Sequence, residues 1–248
     1  MHKLVCWLRS NELSINESKT EVLLFRSASA KVPNDFFIEI NDWKVFPSKF
    51  VKYVGVFIDE NLNWNCHFTS LCIKLSQSVG IISKLRHYTS TDICVSVYYS
   101  LFQSYLLYGC LSWQFANETL LNKIKVLQRK AIRFLTFSNR DDSTSPLFLH
   151  LNILKVEDSF SSCVLSFMYE LYSKNLPISM YKFFVYNNRN SLRLLLPYVK
   201  SKKFGERSLR FNGAKVWNKT TENLNIKVFC SIIGFKKFLK KRYIESYK

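Results

Sequence analysis

From Trp64 onward apolar residues recur at steps of three and four, and that period dictates a helical body. Trp64, Phe68, Leu71, Cys72, Leu75, Val79, Ile82 and Leu85 draw one stripe along a helix. Thr89-Ser90-Thr91-Asp92 offers N-cap chemistry for a second helix over 92–114. A third, over about 117–136, turns Leu120, Leu121, Ile124, Leu127, Ala131 and Leu135 inward. Its other side displays Lys123, Lys125, Arg129, Lys130 and Arg133. Three helices with short links predict a bundle. With 6 Gly and 5 Pro in 248 residues, few breakers interrupt these runs, and hydrophobic residues at 48% supply a core.

The flanks read differently. Residues 2–10 have the pattern of the last turns of an amphipathic helix that opens without a capping residue, as in a chain starting mid-element. Segments 21–26 and 36–40 predict an antiparallel hairpin with a long connection through Pro33. A third strand is predicted over 51–59, with Gly55 marking a bulge or close approach at its centre. Beyond the bundle come a polar loop over 138–146, a helix over 155–174 and a turn at 187–190. A last helix over 229–246 turns Phe229, Ile232, Ile233, Phe235, Phe238 and Leu239 inward, with Lys236, Lys237, Lys240, Lys241 and Arg242 outside. The expected class is α+β, mostly helical. A small antiparallel sheet (1–63) precedes a helical bundle (64–136) and a basic C-terminal helical region (137–248).

The formal net charge of +18 is unevenly spread. Residues 174–248 hold 18 Lys/Arg against 3 acids, whereas 1–173 hold 18 against 15. A polyanion is the natural partner, because each neutralised phosphate releases a condensed counterion. Seven cysteines include no C-x-x-C, and several fall inside apolar helical patterns, which suits a reducing, intracellular compartment. Cys66, His67 and Cys72 lack the paired spacing of a zinc site. The N-terminus has too short an apolar run for a secretory signal. Residues 93–116 carry no charge over a membrane-spanning length. Ser96, Ser100, Gln103, Ser104 and Ser112 make them a buried helix rather than a membrane anchor.

A reaction centre is hard to assemble. Two-metal phosphoryl transfer needs carboxylates close together on a rigid element. Asp141-Asp142 lies in a polar loop with no strand to fix it, and Asp59-Glu60 closes a strand where a turn and helix start account for both acids. G-x-S-x-G, a Walker loop, H-E-x-x-H and G-x-G-x-x-G are absent. The four histidines have no spacing to a nucleophile, and His67 reads as a surface residue. No catalytic residue, metal ligand or cofactor site is expected from these residues alone.

Two strings carry a family resemblance. One is Trp7-Leu8-x-x-Asn11-x-Leu13-x-x-Asn16-x-x-Lys19-Thr20, followed by Val22-Leu23-Leu24-Phe25. The other is Tyr53-Val54-Gly55-Val56-x-Ile58-Asp59-x-x-Leu62-x-Trp64-x-x-His67. In this order they resemble the region just after the catalytic motif in reverse transcriptases of non-LTR (LINE-type, jockey-like) retrotransposons. Leu127-Gln128-Arg129-Lys130-Ala131-Ile132-Arg133 and Gly213-x-x-x-Trp217-Asn218 resemble the later parts of such polyproteins. The resemblance implies that 1–63 corresponds to a palm remnant, that Tyr53 and Gly55 belong to the turn gripping the primer end, and that the bundle is a thumb. Lys19 would be an auxiliary lysine near the incoming nucleotide, or else a plain capping or surface lysine. The family's catalytic aspartate pair stands upstream of Trp7, outside this chain. Magnesium is therefore expected only for a complete polymerase, and a separate palm and fingers portion is an expected partner.

The resulting expectation is a reverse-transcriptase fragment, inactive alone, that binds RNA or DNA as template–primer. Lys123, Arg129, Lys130 and Arg133 on the bundle, with Lys200, Lys202, Lys203, Arg207 and Arg210 beyond it, would meet phosphates. Tyr198, Phe204 and Phe211 interleave there, either to stack on unpaired bases or to build local core. A domesticated or decayed helical scaffold that binds a protein partner is the alternative.

Overall fold

The computed structural model describes residues 2–27, 29–30, 32–33, 35–40, 43–187, 190–200, 205–222, 229 and 231–248. The backbone divides into two compact units, Met1–Thr69 and Ser70–Lys248.

The first unit is held largely by caps and turns. Helix α1 (His2–Ser10) ends where the Asn11 amide and backbone N–H both donate to the Trp7 carbonyl, at 2.7 and 3.2 Å. Glu12 beyond it takes a left-handed conformation, closing the helix. A single 3₁₀ turn at Glu17–Lys19 is capped by Asn16, whose Oδ1 accepts from the Ser18 hydroxyl at 2.8 Å and the Lys19 N–H at 3.1 Å. The Thr20 hydroxyl donates back to the Asn16 carbonyl at 2.8 Å. The asparagines of the first string thus punctuate its backbone.

The predicted hairpin of 21–26 with 36–40 does not form. Residues 21–26 make one isolated parallel bridge, Val22 to Pro47, because proline has no N–H with which to continue a ladder. Strand β1 (Ile38–Ile40) pairs instead with β2 (Trp43–Val45), Ile38 opposite Val45, burying Ile40 and Val45. Nor is 51–59 one bulged strand. It is a tight hairpin of β3 (Phe50–Tyr53) and β4 (Val56–Asp59), Tyr53 opposite Val56. The connecting residues Val54 and Gly55 both have positive φ, 44° and 79°. That two-residue geometry matches the twist of the strands. Arg26 packs on the hairpin end through a bidentate pair with Glu60, both contacts 2.9 Å, and the Asn61 amide donates to its carbonyl. Asp59 then accepts the backbone N–H groups of Asn61, Asn63 and Trp64. It thereby holds Leu62 and Trp64 left-handed ahead of the next helix.

That helix is α2 (Asn65–Leu85), as its stripe predicts; Phe68, Leu71, Leu75, Val79 and Ile82 are buried. His67, expected at the surface, is only 6% exposed, against the rings of Trp64 and Phe68. The predicted helix over 92–114 is broken into pieces: α3 (Thr91–Val97), a π-helical turn at Tyr98–Gln103, α4 (Ser104–Leu107) and α5 (Cys110–Trp113). The break falls at extended Tyr108 and left-handed Gly109. It turns the chain so that Trp113 is fully buried edge-on to Phe160, 5.4 Å between centroids. Ser90 precedes α3 but its side chain makes no capping bond, whereas the Asn117 carboxamide caps α6 (Glu118–Thr136). Among the described residues no helix is long and apolar enough to cross a membrane.

A short helix, α7 (Ser145–His150), starts with Pro146 in its first turn and closes the segment expected as loop. Helix α8 (Val156–Tyr172) buries most of its apolar side chains and packs against α4, α5 and α6. Then follow α9 (Ile178–Tyr181) and the hairpin β5 (Tyr186–Asn187) with β6 (Asn190–Leu194). Two more helices, α10 (Leu209–Thr221) and α11 (Ile232–Glu245), cover the rest of α8. Neither β5–β6 nor α10 was expected. Asn218 of α10 clamps β6: its amide donates to the Leu194 carbonyl at 2.8 Å and its oxygen accepts the Leu194 N–H at 2.9 Å. The Trp217 indole donates to Leu192 at 2.8 Å. Gly213 lets α10 approach closely, since a Cβ there would stand 3.1 Å from Met168 Sδ. In α11 Phe235 and Leu239 are buried as expected, but Ile233 is 65% exposed.

One polar side chain sits inside this packing. Gln128 of α6 donates to Tyr98 Oη and the Leu154 carbonyl and accepts from the Val156 N–H, all at 2.9 Å. Gln128→Ala removes three hydrogen bonds, leaves the Val156 N–H without its acceptor and is expected to cost about 2 kcal/mol, read as a lowered urea midpoint. Val54→Asn puts a left-handed-tolerant residue in the β3–β4 turn. It should stabilise that hairpin by about 1 kcal/mol, seen as slower amide exchange over 50–59.

Candidate nucleic-acid interface

Helix α6 presents an outward face rich in cations. Lys123 and Lys130 stand two turns apart on one line, and Arg129 and Arg133 one turn apart beside it. Val126, 55% exposed, lies between them. Lys130 sits over the Phe134 ring at 5.8 Å. The Arg86 guanidinium lies 5.1 Å from the same ring and 4.4 Å from that of Phe137, extending the cationic surface beyond α2. Arg133 is half-buried and donates to the Asp142 carbonyl at 3.0 Å, so part of its fork serves the 138–142 loop. Lys125, expected on the outer face, is turned aside between Glu118 at 2.7 Å and Glu157 at 3.0 Å. Burial pulls its pKa down, but the two carboxylate hydrogen bonds together outweigh that and leave it raised.

The structure gathers the other expected residues into separate places. Lys19 is exposed at the end of the 3₁₀ turn. Tyr53, 68% exposed, and Gly55 share the β3–β4 turn of the first unit. Arg207 and Arg210 are exposed at the start of α10, where Phe211 is half-buried; Lys200 and Tyr198, the latter 88% exposed, precede it in sequence. Lys202, Lys203 and Phe204 lie outside the described residues. On α11 Lys236, Lys237, Lys241 and Arg242 are exposed, while Lys240 turns to the Tyr99 hydroxyl at 3.4 Å.

Sequence reasoning missed a cleft between α6, α7 and the start of α8. It has a volume of about 370 Å³ and is lined by Lys125, Arg129, Thr144, Ser145, Lys155 and Glu157 among others. The Lys155 ammonium donates to the Ser145 hydroxyl at 3.1 Å and stands 4.3 Å from the centre of the Tyr247 ring. Lys155 carries no periodic signal, and Ser145 fell in a stretch expected as loop, so no pattern could have joined them to Arg129. Behind the cleft, the Tyr247 hydroxyl accepts from the Lys155 N–H at 3.0 Å and donates to the Asp158 carboxylate. Burial raises the Asp158 pKa, and that hydroxyl offsets part of the rise.

The acidic pairs do not fit a metal. Asp59 is committed to three backbone N–H groups, Glu60 to Arg26, and Asp142 accepts from the Asn139 N–H at 2.7 Å. Among the described residues no group of three or more His, Cys, Asp or Glu side chains could hold a metal ion. Of the cysteines, Cys94 and Cys110 are buried small core residues, Cys72 and Cys163 are partly buried, and Cys6 and Cys66 are exposed. Cys230 lies outside the described residues.

Comparison with known proteins gives this basic, helical chain its relatives among the RNA-directed DNA polymerases of mobile elements. It is 24% identical over 168 residues to the RNA-directed DNA polymerase from mobile element jockey of Drosophila melanogaster, covering 66% of this chain and 18% of that protein. It is 28% identical over 155 residues to the corresponding jockey polymerase of Drosophila funebris, covering 61% and 17%. With the probable RNA-directed DNA polymerase from transposon X-element of Drosophila melanogaster it shares 26% over 134 residues, covering 52% and 14%. The chain is thus related to a stretch of the jockey-like reverse transcriptases of non-LTR retrotransposons. It spans between 14 and 18% of the length of these curated relatives. No family model matches it, and no solved structure matches it.

The folded pKa of Asp158 is raised, so the folded state holds the proton longer than the unfolded chain. This contribution to stability is present below the ordinary Asp value of about 3.9 and is lost as pH rises through the raised one. Asp158→Asn keeps an acceptor for Tyr247 without the buried charge. Its stability relative to the parent should therefore improve as pH rises from below the ordinary Asp value of about 3.9 to neutrality, measured by urea unfolding across that range.

Proposed function

We propose that this chain is the nucleic-acid-holding part of a jockey-like reverse transcriptase, contributing template–primer binding rather than the chemical step. The observation that carries the reading is relatedness to mobile-element RNA-directed DNA polymerases in a chain whose α6 face is cationic. In this reading the first unit derives from the region after the polymerase's catalytic motif, with Tyr53 and Gly55 at the primer end. The helices of the second unit act as a thumb. Lys123, Arg129 and Lys130 meet backbone phosphates, and the cations around α10 and α11 extend the track. Lys19 acts as an auxiliary cation only with the rest of the polymerase, which would also bring the metal-binding aspartates and their magnesium. The free thiols fit a reducing, intracellular compartment.

The test is an anisotropy titration of a short template–primer and a single strand over a range of salt. The expected result is a log–log salt slope of several units. Lys123→Ala/Lys130→Ala should weaken binding without regard to sequence and reduce the slope by about 2. Affinity indifferent to salt would refute the proposal.

A further inference from the structure

Beside the cationic cleft lies a second, smaller cavity, of about 180 Å³, between α5, α6 and α8. The two share Lys125 and Glu157 on their walls. Their linings are of opposite character. The cleft offers Arg129 and Lys155 as cations outside any ion pair among the described residues, with the Thr144 and Ser145 hydroxyls, while Lys125 on its wall is paired with Glu118 and Glu157. The smaller cavity is walled mainly by apolar side chains, Phe115, Leu121, Phe160 and Val164 among them, with the Gln114 carboxamide and, at its rim, Glu118 paired to Lys125. Gln114 is buried, and its Nε2 has no hydrogen-bond partner. Such a donor costs stability unless something satisfies it.

We propose that the pair of cavities is a nucleotide site, the cleft taking a backbone phosphate and the smaller cavity the unpaired base attached to it. The inference rests on the nucleic-acid-holding reading above and deepens it. The cleft suits a phosphate because Arg129 has a planar fork of donors, Ser145 and Thr144 add hydroxyls, and Lys155 is already held in place. The smaller cavity falls below the range of about 300–1,000 Å³ typical of whole small-molecule ligands. It therefore admits a ring and not a complete nucleotide. Two aromatic side chains give that ring apolar contact, and every base has a π-face to offer them. An amide is the side chain that can both donate to and accept from a base edge. Lys125 pairs with both Glu118 and Glu157 and so offsets part of their charge, leaving Arg129 and Lys155 to face the phosphate.

The test compares an oligouridylate decamer with an abasic ribose-phosphate backbone of the same length, both titrated on the full chain. The expected result is about tenfold tighter binding of the decamer that carries bases. Leu121→Trp, which fills the smaller cavity, should abolish that ratio while leaving the salt slope intact. Arg129→Ala should weaken both oligomers alike. Ultraviolet crosslinking of a 5-iodouridine-substituted decamer to the unsubstituted protein should label peptides containing Phe115 or Phe160, and serves equally if Leu121→Trp fails to fold. Equal affinity for the two oligomers with a steep salt slope overturns the base site and leaves the backbone-binding reading standing. A ratio untouched by Leu121→Trp, or crosslinks that fall elsewhere, overturns it as well. Absence of binding at low salt sinks both.

Discussion

The second unit depends on the side chain of Gln128. Its amide is buried, and its three hydrogen bonds reach the π-helical turn, the end of the 151–155 segment and the first N–H of α8. The buried Val156 N–H among them would otherwise be unsatisfied where water does not reach. The Val156 N–H is an orphan donor at a helix start, and Lys155 before it supplies no side-chain cap. One glutamine thus replaces the missing cap and sets the distance between α6 and α8. Tyr98 passes the constraint on to Gln103, which reaches Ser159 on the next turn of α8. From the other side Tyr247, at the chain's end, fixes Lys155 and Asp158 around the same helix start. The cleft and the smaller cavity both lie along the seam these contacts hold open.

The first unit is built on a different principle, that short polar side chains can tie their own backbone. Asn11, Asn16 and Asp59 each collect nearby N–H or C=O groups, and the residues between them take turns that the strands alone would not impose. This gives a physical reason for the two strings through which the chain resembles reverse transcriptases. Their asparagines and the aspartate are the residues whose side chains shape the turns. In the same way, Gly213, Trp217 and Asn218 allow α10 to approach α8 and clamp β6.

Long helices were legible because burial on one face imposes its period on the sequence. The stripes of α2 and α6 foretold their cores, and α8 fell within two residues of its expected ends. What failed to show was anything set by one residue's conformation or by contact with a distant partner. Val54 with Gly55 makes a turn inside what reads as a single apolar run, and Gly109 breaks a helix whose apolar pattern continues through it. The strands β1 and β2 are three residues each, too short for alternation to register. At the site, the outer face of α6 was readable as spaced cations. Lys125 was misread because its two carboxylates come from the start of its own helix and from α8.

The acids explain why the remaining charge matters. In a chain with 18 of them, those of the second unit are drawn largely into structure. Glu118 and Glu157 hold Lys125, Asp158 takes the Tyr247 hydroxyl, and Asp142 caps its own loop. Among the described residues no ion pair involves Lys123, Arg129 or Lys130, and α11 sets only Lys241 against a carboxylate, at 4.0 Å. A surface whose acids are committed to local partners leaves its other cations uncompensated. The resulting self-repulsion opposes folding, and a polyanion relieves it by replacing many small counterions with one ligand. Binding and stability are then linked: any strand that engages α6 should also strengthen the packing of α6 on α8, through the population of the folded state alone.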